Sequence, residues 1–141
     1  MNKNLPLSNI VVLDLTNVLS GPFATQILSD LGAEIIKVEK PNGDDSRKFG
    51  PFIKKRSSYF ISLNRGKKSI VVDFNNEEDK KIFKKLLTIS DVIIDNFKPG
   101  TLEKYGFSSS YLKKNFPLLI QTKISGFGET GPLKENPAYD M

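Results

Sequence analysis

Five short apolar segments alternate with helical or polar stretches along this 141-residue chain, and this alternation constrains the fold more than any other feature. The predicted strands are almost continuously apolar, as is typical of strands buried on both faces of a parallel sheet, and they comprise residues 10–15, 34–38, 69–73, 91–95 and 118–124. Strands in alternation with helices predict a single α/β domain with a doubly wound parallel sheet and helices on both faces.

The helices between these strands are marked by caps and by apolar spacing. Pro22 begins a helix that carries Phe23, Ile27, Leu28 and Leu31 on one side and ends at Gly32. Further helices are predicted after caps at Asn76 and Ser108, the latter ending near Asn115, with a short helical turn within residues 99–105. We expect residues 42–64 to form a long irregular excursion in which residues 59–63 pack against the sheet.

Right-handed crossovers would bring the loops that follow the strands to one edge of the sheet, where open α/β sheets bind ligands. These loops are residues 16–21, 39–47, 73–76, 96–100 and 125–131. Three aspartates, Asp14, Asp73 and Asp95, lie at or near strand ends, and we expect them to cap or to accept hydrogen bonds from loop N–H groups.

The chain contains no cysteine and no histidine. Disulfides, thiolate metal sites and Ser-His-Asp or Cys-His arrangements are therefore excluded within it, and its chemistry must use carboxylates, tyrosine, lysine or backbone groups. No apolar run approaches the roughly 18 residues of a membrane span, and residues 1–6 lack the apolar stretch of a secretory signal, so we expect a cytoplasmic protein. The net charge of +5 suits nucleic acid, an acidic membrane or a polyphosphorylated small molecule without choosing among them.

Two of the gathered loops suggest nucleotide chemistry without deciding it. Glu39 resembles the acid that holds a ribose in dinucleotide folds, but the first loop contains only Gly21, so the glycine fingerprint for NAD is missing. Asn96, Phe97 and Lys98, with Lys104 one turn further on, could stack a base and meet phosphate charges. Alternatively, Phe97 belongs to the core and the lysines are solvated.

Five blocks carry a resemblance to a known family: VLDLTNVLSGPFATQILSDLGAEIIKVEKP (12–41), GDDSR (43–47), SYFISLNRGKKSIVVD (58–73), DVIIDNFKPGTLEKYGF (91–107) and ISGFGETGP (124–132). In this order they resemble the N-terminal part of the family III CoA-transferases, a group that includes formyl-CoA transferase, carnitine CoA-transferases and α-methylacyl-CoA racemases. The resemblance implies that residues 1–141 are a truncated, Rossmann-like CoA-binding domain, with the second domain and the C-terminal return absent.

The resemblance also implies which residues contact CoA, position by position. It implies Val18, Leu19 and Ser20 in the cleft wall, Lys40 near the adenosine end, Val72 and Asn75 at the third strand end, Asn96, Phe97 and Lys98 on the adenine and pantetheine wall, Lys104 facing a phosphate, and Tyr139 near the thioester. No metal and no cofactor are implied, because CoA is the substrate. The implied partners are an acyl-CoA, a carboxylic acid and a second chain in an interlaced homodimer, with no nucleic acid and no membrane.

The transferases of this family use an aspartate that attacks the thioester and forms a mixed anhydride. The resemblance places that aspartate beyond Tyr139, so no catalytic residue is assigned here, and we expect the isolated chain to be inactive and to bind CoA weakly or not at all. Asn75 and Pro137 replace lysines of formyl-CoA transferase, so phosphate binding is expected to differ. Tyr139 and Asp140 stand where the racemases have His-Asp, which favours acyl transfer over the racemase alternative. A non-enzymatic nucleotide- or nucleic-acid-binding module is the other alternative.

Overall fold

A five-stranded parallel sheet forms the centre of the computed structural model, which describes residues 5–136 and residue 138. The strands are β1 (Val11–Asp14), β2 (Glu34–Glu39), β3 (Phe52–Ile53), β4 (Arg56–Ser57), β5 (Lys68–Val71), β6 (Val92–Asp95) and β7 (Ile120–Lys123). The sheet has the order β5-β2-β1-β6-β7, while β3 and β4 form a separate antiparallel hairpin. Counted along the chain, the strands of this sheet have the order 3-2-1-4-5, which matches five of the six strands of the Rossmann order, and the switch point of the strand order lies between β1 and β6.

The helices are α1 (Ser20–Asp30), α2 (Ser58–Asn64), α3 (Glu77–Ile89), α4 (Thr101–Lys104) and α5 (Ser109–Asn115), with a 3-10 turn at Asp45–Lys48. Both predicted caps are confirmed, because Asn76 Oδ1 accepts from the Glu78 amide (2.8 Å) and Ser108 Oγ accepts from the Tyr111 amide (3.1 Å). The expectation of an irregular segment at 42–64 is wrong in three places, because this segment contains the 3-10 turn, the β3–β4 hairpin and, at its end, α2. Its N-cap, Ser57, accepts from the Phe60 amide (3.1 Å), a local signal that the sequence carried.

Neighbouring residues of each central strand point to opposite faces of the sheet, and each face has its own apolar core. One face carries Leu13, Ile36 and Ile93, which belong to the same cluster as Phe83 and Leu87 of α3. The other face carries the residues next to them in sequence, Val12, Ile35 and Ile94, with Leu28 of α1 packed against them. Helices therefore cover both faces, as the sequence predicted.

Helix α1 does not bury the apolar side that its sequence suggested. Leu28 packs on the apolar core that contains Val12, Ile35 and Ile94. In contrast, Phe23 and Ile27 of the helix are 54% and 46% exposed, and Leu31, which follows the helix, is 41% exposed. The buried positions include Thr25 and Gln26 instead. Thr25 Oγ1 donates to Asp14 Oδ2 (2.6 Å), so a polar contact with the end of β1 decides which side of the helix faces the sheet. Within residues 5–136 and 138, no helix is long and apolar enough to cross a membrane.

Candidate functional site

A cleft of about 560 Å³ lies beyond the carboxyl ends of the strands, where the sheet order reverses between β1 and β6. Its volume is within the roughly 300–1,000 Å³ that is usual for sites of small molecules and cofactors. The lining residues come from four segments: Asn17, Val18, Leu19 and Ser20; Asn96, Phe97, Lys98 and Pro99; Ile124, Ser125 and Gly126; and Lys134, Glu135, Asn136 and Ala138. Apolar walls with a few cations suit a ligand that has an apolar body and negative charge.

Aspartates at the strand ends shape the loops around this cleft. Asp14 accepts from the Thr16 amide (2.9 Å), Asp73 from the Asn75 amide (2.9 Å) and Asp95 from the Phe97 amide (3.1 Å). Burial raises the pKa of Asp95 above its ordinary value, and the Phe97 amide and Lys123 offset only part of this effect. The expectation that these carboxylates accept loop N–H bonds is confirmed.

The turn from β1 into α1 brings Gly21 directly against the side chain of Thr16. A Cβ on Gly21 would lie 2.2 Å from Thr16 Cβ, so this position requires glycine. Val18, two residues after Thr16, has a φ of +70°, a left-handed conformation that is rare for a β-branched residue. Such strained positions cluster at functional sites, and this one lines the cleft.

A reciprocal pair of hydrogen bonds joins the two loops that meet at the switch point. The Asn17 amide donates to Asn96 Oδ1 (2.9 Å), and Asn96 Nδ2 donates to the Asn17 carbonyl (2.9 Å). The side-chain amide of Asn96 thus fixes the distance between the β1 and β6 loops on one side of the cleft.

Two buried ion pairs lie behind the loop that follows β1. Lys37 Nζ lies 2.9 Å from Asp44 Oδ2 and forms an ion pair with it, but the angles at these atoms do not meet the geometry of a hydrogen bond. Lys37 Nζ also donates to the Thr16 carbonyl (2.7 Å). Lys67 Nζ is 3.1 Å from Asp14 Oδ2. All four side chains are at most 1% exposed. Burial lowers the pKa of Lys67, and the charge of Asp14 opposes this shift.

Glu39, at the end of β2, is fully engaged by protein groups. Arg47 binds both carboxylate oxygens (2.6 Å each), Ser69 Oγ donates at 2.5 Å, and the Asp44 amide donates at 2.9 Å. Burial opposes ionisation of the Glu39 carboxyl, but these hydrogen bonds outweigh it and lower its pKa to about 2. Because its acceptor sites are occupied, Glu39 is not presented to a ribose in this structure. Across the described part of the chain, no group of three or more acidic residues could hold a metal ion.

Comparison with known proteins agrees with the observed fold. The model of the family described as CoA-transferase family III matches residues 7–141. The chain belongs to this family. Acetyl-CoA:oxalate CoA-transferase of Acetobacter aceti is 48% identical over 136 residues, which are 96% of this chain and 35% of the relative. Succinyl-CoA:glutarate CoA-transferase of Homo sapiens is 45% identical over 142 residues, with 99% of this chain and 32% of the relative covered.

A solved structure of a similar protein has the same fold. The CAIB/BAIF family protein from Brucella suis superposes with a TM-score of 0.92 at 45% identity, and the match covers 98% of this chain and 38% of that one. The chain thus spans about a third of the length of the curated relatives it matches. The resemblance predicted from the five sequence blocks is confirmed.

The structure brings together most of the residues that the resemblance to family III assigned to CoA. One cleft is lined by Val18, Leu19 and Ser20 from the β1 loop and by Asn96, Phe97 and Lys98 from the β6 loop. Phe97 lines this cleft and also packs against the larger apolar core, so its place in the core is confirmed, and its stacking on a base stays a prediction.

Other assigned residues do not line this cleft. Lys40 pairs with Asp45 (2.8 Å), Asn75 is exposed and donates to Asp73 Oδ1 (3.0 Å), and Lys104 is exposed on α4. Val72 is 2% exposed and lies in the larger core, so its side chain is turned away from solvent. Their roles in CoA binding stay predictions. Tyr139, Pro137 and Asp140 lie outside the described residues.

Several residues that line the cleft, and the buried ion pair of Lys37 with Asp44 behind it, were not predicted from the sequence. Asn17, Lys134 and Asn136 line the cleft. The only signal for Lys134 and Asn136 was that their segment follows β7, whose loop reaches the same edge. Lys37 carried a clearer signal, because a charged residue inside the apolar strand at 34–38 requires a buried partner.

Proposed function

We propose that the cleft binds the CoA portion of an acyl-CoA, and that the complete protein transfers CoA between an acyl-CoA thioester and a carboxylic acid. The observation that carries this proposal is the convergence of the β1 and β6 loops on one cleft at the switch point. Open α/β sheets bind their ligands at such a switch point. Residues 1–141 then form the CoA-binding domain of a longer enzyme.

The chemistry of the lining residues suits the parts of CoA. The Phe97 ring offers a face for stacking the adenine, and Val18 and Leu19 offer apolar contact for the pantetheine arm. Lys98 and Lys134 provide cations for the pyrophosphate and the 3′-phosphate. The net charge of +5 adds a general attraction for this polyanion.

The reaction itself uses an aspartate carboxylate that lies further along the complete polypeptide, as the family resemblance implies. That carboxylate attacks the thioester carbonyl, so that the C–S bond breaks, the CoA thiolate leaves and a mixed anhydride forms. The thiolate then attacks the aspartyl carbonyl of the anhydride, which releases the donor acid and leaves an aspartyl-CoA thioester. The acceptor carboxylate attacks this thioester to form a second anhydride, and the thiolate attacks the acceptor's carbonyl, which gives the new acyl-CoA and the free aspartate. The described residues hold and orient CoA during these steps. On the same resemblance, we propose that the complete protein is a cytoplasmic, interlaced homodimer.

Titration of the ¹⁵N-labelled chain with CoA tests the binding site. We expect weak binding, with amide shifts concentrated at residues 17–20, 96–98 and 124–126, and a roughly fivefold weaker dissociation constant for Lys98→Ala, equivalent to about 1 kcal/mol. Lys113→Ala, which removes an equal charge from the exposed surface of α5, is the matched control and is expected to leave the affinity unchanged. Pantetheine lacks the phosphates of CoA, so its dissociation constant should be the same for the wild type, Lys98→Ala and Lys113→Ala.

Shifts elsewhere on the surface, or no shifts at millimolar CoA, would contradict the proposed binding site. Salt-sensitive DNA binding that CoA does not compete away would support the nucleic-acid alternative instead.

A chimeric enzyme tests the transfer reaction. We expect residues 7–136 of this chain, placed in the A. aceti relative in exchange for its matching segment, to support CoA transfer from acetyl-CoA to oxalate within roughly tenfold of the parent rate. Circular dichroism and gel filtration establish that the chimera is folded. A folded chimera without transfer would overturn the proposal. Exchange of the α-proton of a branched acyl-CoA by that chimera would support the racemase alternative.

A further inference from the structure

The loop at residues 16–20, hereafter the Val18 loop, has a backbone conformation that its own sequence does not favour. Val18 has a φ of +70°, a left-handed conformation that is unfavourable for a residue with a side chain. A glycine would remove this cost, yet the position carries a β-branched residue. Strain of this kind persists only where surrounding groups fix the backbone.

Three side chains from outside the loop supply such contacts. Asn96 exchanges two hydrogen bonds with the Asn17 backbone (2.9 Å each), and Asp44 Oδ1 accepts from the Val18 amide at 3.3 Å. Lys37 Nζ donates to the Thr16 carbonyl (2.7 Å). Each consecutive residue from Thr16 to Val18 therefore has a backbone group bound by a side chain from another part of the sheet edge.

Asp44 makes further contacts at this edge of the sheet. Asp44 also accepts from the Ser46 amide (2.9 Å) and lies 2.9 Å from Lys37, so its carboxylate joins the loops that follow β1 and β2. Replacing a buried ion pair by apolar residues is often neutral for stability, and buried pairs are retained in some systems because they specify one conformation. Here the specified conformation is that of a loop on the cleft wall.

We infer that Asn96 and Asp44 are positioning residues that hold Val18 in its left-handed conformation and thereby shape the cleft wall. Asn96 sets the distance between the Val18 loop and the β6 loop, and Asp44 orients the Val18 amide. The ligand in this inference is CoA, which rests on the proposed function. The conformational part does not depend on the ligand.

NMR spectroscopy of the 141-residue chain tests the conformational part. A strong intraresidue amide–Hα nuclear Overhauser effect at Val18 is the signature of its positive φ. We expect this signal to weaken by at least half in Asn96→Ala and to persist in Asn115→Ala, which removes a side-chain amide that donates to the Tyr111 carbonyl of its own helix. An unchanged Val18 signal in Asn96→Ala would overturn the role of Asn96.

A second variant tests Asp44 without leaving a buried charge unpaired. Lys37→Met and Asp44→Leu, made together, remove both charges and both contacts to the Val18 loop. We expect this double variant to fold, to lose the Val18 signal and to bind CoA roughly tenfold more weakly, as we also expect of Asn96→Ala. Loss of the signal with unchanged CoA affinity would overturn the link to binding. If the wild-type chain itself gives no CoA shifts, the proposed function fails separately, and the Val18 signal still decides the positioning role.

Discussion

Lys67→Met is expected to lower the free energy of unfolding by about 3–5 kcal/mol, because it leaves a buried carboxylate without its countercharge. Lys67 Nζ lies 3.1 Å from Asp14 Oδ2 and donates to the Pro22 carbonyl (2.9 Å), Thr25 Oγ1 (2.8 Å) and Asn64 Oδ1 (2.9 Å). Methionine retains the length of the stem but none of these contacts. Urea unfolding followed by circular dichroism measures the change.

The neighbouring lysine is the matched control. Lys68 is 62% exposed and pairs with Glu34 at the surface (2.6 Å), so Lys68→Met is expected to cost less than about 1 kcal/mol. Adding Asp14→Asn to Lys67→Met should restore part of the stability, because the unpaired charge is then removed. Equal destabilisation by Lys67→Met and Lys68→Met would show that the buried pair is not a stabilising contact.

Acid is expected to destabilise the fold through Glu39 by up to about 3 kcal/mol between pH 4.5 and pH 2. The pKa of Glu39 is lowered from 4.5 to about 2, so its ionised form is favoured in the folded state. Its stabilising contribution is fully present above pH 4.5 and is lost as the pH falls through 2. Asp44, whose amide binds Glu39, has a lowered pKa despite its burial, through Ser46 and Lys37, and adds to the loss in acid.

Glu39→Gln isolates this effect. The variant keeps the size of the side chain but cannot form the ion pair with Arg47, so its free energy of unfolding should fall at neutral pH and depend less on pH in the acid range. Glu34→Gln, which changes a carboxyl at the other end of the same strand, is the control and should follow the wild-type pH dependence. Identical acid dependence of Glu39→Gln and the wild type would contradict the assignment.

Local signals were sufficient for the elements whose partners are close in sequence. The caps at Asn76 and Ser108 and the turns at Asp14 and Asp95 each use a donor two or three residues further on, so the residue types alone predicted them. The three central strands, β1, β2 and β6, were predictable for a related reason, because a strand buried on both faces carries its apolar character in its own residues. The edge strands β5 and β7 are mostly exposed, so the expectation of burial on both faces is wrong for these two.

The orientation of α1 was not predictable in this way. Its exposed Phe23 and Ile27 and its buried Thr25 reverse the usual rule, because Thr25 bonds both Asp14 and Lys67, and Lys67 is 42 residues from Thr25 along the chain. No residue of α1 by itself indicates that Lys67 is the partner of Thr25. The same holds for the Val18 loop, which is held by Asn96 from 79 residues away.

The sequence by itself determined the α/β class, the strand positions, the family and six residues that line the cleft. The tertiary structure alone decided the strand order, the buried pairs Lys37–Asp44 and Lys67–Asp14, and the left-handed Val18. The physical reason is range: periodicity and caps depend on near neighbours, whereas buried charges find their partners only when the sheet register brings distant strand ends together. The cleft too was decided by the tertiary structure, because its walls come from loops that meet only in the folded sheet.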